Sequence, residues 1–83
     1  MKTAIVRGSV WATKKVPGLS GRSLLRVETD TGTLVAADLV GAGTGDRVLL
    51  ALGSAARQED PAAPIDAAIV GILDEQEDRY VGK

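Results

Sequence analysis

The chain has 83 residues, no cysteine and no histidine, which excludes disulfide frameworks, His-based catalytic triads and Cys/His zinc sites. Ten Lys+Arg against eleven Asp+Glu leave a net charge of −1, with no electrostatic drive toward nucleic-acid phosphates or anionic membranes. Apolar residues reach the usual globular fraction of 45%, but with one Trp, one Tyr and no Phe they make a thin core, so oligomerisation is the readiest source of further burial.

The opening Met1–Arg7 lacks the apolar core of a signal peptide. No stretch approaches the roughly 18–20 apolar residues of a membrane span, and the expectation is a cytoplasmic protein. Thr3 to Ala12 alternates as a strand. Ala4, Val6, Gly8, Val10 and Ala12 share one face, and Ile5, Arg7, Ser9 and Trp11 the other. Gly8 in mid-run predicts a bend or bulge. Lys14 to Gly21 reads as a loop from its Pro and Gly content.

A second strand is predicted over about Ser23–Thr29, closed by a three-residue turn Asp30-Thr31-Gly32 with positive φ at the glycine. Thr33–Asp38 returns as the third strand. Val40–Asp46 is a glycine-rich loop, and Arg47–Leu52 the fourth strand, with Val48, Leu50 and Leu52 on one face. Gly53–Gln58 reads as one helical turn with Ser54 as N-cap. Glu59–Pro64 is a loop. Ala67–Leu73 is a short apolar, β-branched run, predicted as a buried strand. Five short strands and one helical turn predict a mainly β protein, a small barrel in one domain over residues 1–74. Residues 75–83 form an acidic tail.

Chemistry-bearing constellations are sparse. Gly41-Ala42-Gly43-Thr44-Gly45 has the glycines of a phosphate loop but no Gly-Lys-Ser/Thr ending and no following helix. It reads as a backbone turn or a close contact. Ser54 has no His or Cys to activate it. Arg57 reads equally as an inter-subunit clamp or a solvated side chain. Asp38, Asp46 and Asp66 flank strands, where turn-forming aspartates are commoner than acid/base pairs. Asp74–Asp78 reads as a solvated acidic stretch. Trp11 is an anchor for the barrel or an interface rather than a base-stacking platform, because no basic excess accompanies it.

Three blocks, in order, carry a resemblance: Val40-Gly41-Ala42-Gly43-Thr44-Gly45-Asp46-Arg47-Val48-Leu49-Leu50, then Gly53-Ser54-Ala55-Ala56-Arg57-Gln58, then Pro64–Asp74. With the opening Val6–Lys15 and Leu19, Gly21, Leu24 and Leu25, they resemble the EutN/CcmL family of bacterial microcompartment vertex proteins. The resemblance covers about Met1 to Asp74. It implies an OB-like five-stranded barrel with a short helix that forms a homopentamer and caps the five-fold vertices of a shell tiled by hexameric and pseudohexameric proteins. It implies no catalytic, cofactor or metal site and no nucleic-acid or membrane partner. It also implies that Gly53, Ser54, Ala55, Ala56 and Arg57 lie at a subunit or facet interface, and Gly41, Ala42, Gly43 and Thr44 near the five-fold axis. The Asp30-Thr31-Gly32 turn is shorter than in many members, and the tail after Asp74 matches no family motif. The rival reading is a barrel that binds single-stranded nucleic acid.

Overall fold

A computed structural model describes residues 1–74 of the chain. The acidic tail expected at 75–83 lies outside the described residues. Five strands form: β1 (Lys2–Ser9), β2 (Leu24–Thr29), β3 (Gly32–Asp38), β4 (Arg47–Leu52) and β5 (Ala67–Ile72). They close into a barrel in the order β1-β2-β3-β5-β4. Four of the five pairings are antiparallel, and β3–β5 is parallel. No helix among the described residues is long and apolar enough to cross a membrane.

The two-residue periodicity of the strands builds the core. Ala4 and Val6 from β1, Leu25 and Val27 from β2, Val48 and Leu50 from β4 and Ile69 from β5 point into one buried cluster. Arg7, Arg26 and Glu28 alternate outward, and Arg7 Nε donates to Glu28 Oε1 across β1–β2 at 2.7 Å. Register jumps between Val6 and Gly8, the bulge expected from the mid-strand glycine.

The first strand stops earlier than its alternation predicts. Ser9 is the last paired residue, opposite Leu25, and the Val10 N–H bonds the Leu24 carbonyl. β2 begins at Leu24, so the chain beyond Val10 has no strand to lie against. Ala12, expected to share a face with Ala4 and Val6, is exposed, and Trp11 is 88% exposed and no anchor for its own barrel. The β2–β3 hairpin needs two turn residues rather than three. Gly32 already pairs with Thr29, and it carries the positive φ, at +144°.

A second, outer layer is built of alanine. Ala37, Ala68 and Ala51 stand side by side across β3, β5 and β4, and all three are buried. Ala56 and Ala63, from the segment that connects β4 to β5, are buried as well. A backbone segment can pack this tightly on a sheet only over small side chains.

The single helical turn expected at 53–58 is a 3-10 turn over Gly53–Arg57, and a second 3-10 turn covers Pro17–Leu19 within the predicted loop. Ser54 does not cap the first of these. Leu52 occupies the cap position without a side-chain hydrogen bond, and Gly53, at φ +60°, turns the chain out of β4. A glycine in the left-handed region makes that exit without a Cβ penalty.

Truncating a fully buried side chain tests this packing. Leu50→Ala removes a core residue with no solvent access and is expected to cost roughly 2–5 kcal/mol in a denaturant melt. Ala68→Leu overfills the outer layer and is expected to cost about 1–3 kcal/mol. An unchanged midpoint for both variants contradicts the two-layer core.

Candidate functional site

The two segments singled out by the sequence sit at opposite ends of β4. The glycine loop enters the strand at Arg47, and the 3-10 turn leaves it after Leu52. Six residues at about 3.3 Å each put the two roughly 20 Å apart. They are separate surfaces, not one site.

The glycine loop is organised by two carboxylates. Asp38, at the end of β3, accepts the Val40 N–H at 3.1 Å and the Gly41 N–H at 3.0 Å on Oδ1, and the Ala42 N–H at 2.9 Å on Oδ2. Asp46 Oδ2 accepts the Gly43 N–H at 2.8 Å, while the Asp46 N–H returns to the Gly43 carbonyl at 3.0 Å. The Gly45 N–H bonds the Val6 carbonyl at 2.8 Å, which ties the loop to β1. The amides a phosphate needs are therefore already bound to the chain's own oxygens. Asp38 and Asp46 are turn-builders, as their strand-flanking positions predicted. Ala42 packs partly on the core, and Gly41, Gly43 and Thr44 face solvent.

The 53–57 turn is held to the chain just before β5. The Gly53 N–H bonds the Asp66 carbonyl at 2.8 Å, and Arg57 Nη1 donates to the Ile65 carbonyl at 2.7 Å. Arg57 is thus a clamp, but onto its own chain, and only partly buried. Ser54 and Ala55 stay exposed, and Ala56 is buried in the alanine layer. Ser54, Arg57, Gln58 and Pro61 line a shallow hollow beside the turn.

Arg22 is a structural residue that sequence reasoning passed over. Its Nε donates to the Gly18 carbonyl at 2.8 Å, and its Nη2 pairs with Asp60 Oδ2 at 2.8 Å. This fastens the β1–β2 loop to the β4–β5 connection. The partners are 38 residues apart, so no local pattern could have paired them.

Among the described residues no polar or charged side chain is buried, and no group of three or more His, Cys, Asp or Glu converges as metal ligands would. The two surfaces offer shape and small residues rather than a reacting group.

Asp38→Ala strips the acceptor from three loop amides and is expected to cost roughly 1–3 kcal/mol. It is also expected to speed hydrogen exchange at Val40, Gly41 and Ala42. Protection at those three amides equal to wild type contradicts the role given to Asp38.

Comparison with known proteins bears on what these surfaces serve. The profile of the family described as "Ethanolamine utilisation protein EutN/carboxysome" matches residues 1–74. The bacterial microcompartment shell vertex protein EutN of Escherichia coli (strain K12) is 42% identical over 84 residues, covering 90% of this chain and 88% of that protein. The carboxysome shell vertex protein CcmL of Synechocystis sp. (strain ATCC 27184 / PCC 6803 / Kazusa) is 46% identical over 83 residues, covering 89% and 83%. Among solved structures, the GrpN pentameric microcompartment shell protein from Rhodospirillum rubrum superposes with a TM-score of 0.82 at 43% identity, covering 89% of this chain and 94% of that one. A match of this extent takes in all five strands, the glycine loop and the 53–57 turn, and it places the chain in the EutN/CcmL family.

Proposed function

We propose that the chain is a structural subunit of a bacterial microcompartment shell, in the bacterial cytoplasm, and that five copies close a ring at a shell vertex. The observation that carries this reading is the likeness of the whole barrel to relatives described as shell vertex proteins, one of them pentameric in its solved structure. A ring of five copies in a sheet otherwise tiled by hexameric and pseudohexameric proteins introduces curvature, which a closed polyhedron requires. Residues 1–74 are the vertex domain. The role is architectural, with no reaction assigned to any residue.

Within that ring, Gly53–Arg57 is assigned to a subunit or facet edge and Gly41–Thr44 to the region near the five-fold axis. Their placement at opposite ends of β4 supports the assignment, because the axis and the rim of a ring are met by separate surfaces of each subunit. The small side chains of both segments allow close backbone approach. The hydrogen bonds of Asp38, Asp46 and Arg57 hold each segment in one conformation before it meets a neighbour, which lowers the entropy cost of association.

Native mass spectrometry of the purified chain is expected to show a species of five times the chain mass. A single chain at every concentration overturns the reading, and a single chain with salt-dependent affinity for a single-stranded oligonucleotide replaces it with the nucleic-acid alternative. In a cell that lacks the subunit, shells are expected to leak or elongate. Sealed shells of normal shape in that strain count against a vertex role.

A further inference from the structure

The stretch between β4 and β5, residues 53–66, is bound mainly to itself. The Gly53 N–H donates to the Asp66 carbonyl, the Asp60 N–H to Arg57, the Ala63 N–H to Asp60 and the Ile65 N–H to Ala63. Arg57 Nη1 donates to the Ile65 carbonyl. Among the described residues one polar contact leaves the stretch, from Arg22 Nη2 to Asp60 Oδ2 at 2.8 Å.

Apolar packing does little to choose where the stretch lies. Its buried residues are Ala56 and Ala63, packed over Ala37, Ala51 and Ala68 of the sheet. Methyl groups bury little area, so a shift across them costs little. Beside them a hollow of about 200 Å³ stays open between Leu19, Leu24, Pro64 and Ile65.

The β1–β2 loop meets this stretch in two ways. The first is steric. A Cβ on Gly18 would stand 2.8 Å from Pro64 Cδ and 3.3 Å from its Cγ. A proline ring cannot turn aside as a flexible side chain can, so a glycine is what lets the two segments approach. Gly18 is not among the glycines with positive φ, so the requirement is for space and not for backbone conformation. The second is polar. Arg22 Nε donates to the Gly18 carbonyl at 2.8 Å, so the residue that makes room for Pro64 also aims the guanidinium at Asp60. Asp60 passes the contact on. Its Oδ1 accepts the Ala62 N–H at 3.2 Å, and its own N–H donates to the Arg57 carbonyl at 3.1 Å. The planar fork of an arginine serves two acceptors in one fixed geometry, which a lysine does not.

The side chains of Arg22 and Asp60 are 22% and 51% exposed, and an ion pair that meets water contributes little to folding. A tie that is weak yet alone selects among positions of the stretch rather than holding the barrel together. We propose that Gly18, Arg22 and Asp60 are positioning residues, a clasp that sets where residues 53–66 lie on the barrel. The clasp thereby shapes the surface formed by Ser54, Arg57, Gln58 and Pro61. It belongs to the single chain and holds whether or not five copies assemble. Where the 53–57 turn serves as the edge proposed above, the clasp presents that edge to a neighbour, and this consequence alone rests on the vertex reading.

Amide hydrogen exchange in the full chain, read residue by residue by NMR, tests the clasp. Arg22→Gln and Asp60→Asn are each expected to speed exchange at Gly53, Ala63 and Ile65 by about 5-fold, the factor equivalent to the upper end for an exposed ion pair. Leu50 and Ile69, in the strands, are expected to exchange as in wild type. The double variant is expected to show the same change and not its square, because the tie is broken only once. Gly18→Ala is expected to speed exchange at the same three amides by pushing Pro64 away. Wild-type exchange at those amides in any of the three single variants overturns the clasp. So do changes that multiply in the double variant, or an equal acceleration at Leu50 and Ile69, which marks a general loss of stability instead.

Discussion

The molecule turns on a contact two residues long. Ala37 and Asp38 of β3 meet Ala68 and Ile69 of β5, and this short parallel pairing is what joins the ends of the sheet into a barrel. Everything else on that flank follows from its brevity. β3 is released just past Asp38, whose carboxylate then gathers the next amides into the glycine loop. Before Ala37 no strand among the described residues pairs with it on one side, and a groove beside Leu34 and Val35 lies there. One constraint thus generates a rigid loop at one end of the strand and an unfinished edge at the other.

Small residues let the rest of the chain fold over this seam. The segment between β4 and β5 crosses the outer face of the sheet, and the buried residues beneath and within it are alanines: Ala37, Ala51, Ala56, Ala63 and Ala68. The segment has little regular structure of its own. It is secured instead by point contacts, namely Gly53 to Asp66, Arg57 to Ile65, and Arg22 to Asp60. A layer of this kind contributes modest hydrophobic area, since an alanine side chain has little to bury. Its worth is geometric: it brings backbone close to backbone and fixes the outline of the subunit.

The polar groups serve shape in the same way. Asp38 and Asp46 spend their oxygens on loop amides, Arg57 its guanidinium on a carbonyl, and Thr29 its hydroxyl on the hairpin. None of these side chains is fully buried. Groups engaged in this manner hold conformation; they are not poised to transfer a proton or attack a substrate. That is the expected economy of a structural protein of a microcompartment shell.

Alternation of side chains, glycine and aspartate at turns, and the lack of His and Cys were legible directly. They defined five strands with near-correct limits, the bulge at Gly8, the shared face of Val48 and Leu50 in β4 and the turn-building aspartates. These features are local: period-two patterning and turn preference are properties of a few neighbouring residues. What failed was whatever depends on a partner distant in sequence. Trp11 and Ala12 belong to a strand-like run but lie outside β1, because β2 begins too late to pair with them. Ser54 looks like a cap, yet Gly53 and the Asp66 carbonyl begin the turn. The strand order β1-β2-β3-β5-β4, the Arg22–Asp60 tie and the open edge of β3 were decided only in three dimensions, because each is set by which segments meet across the barrel.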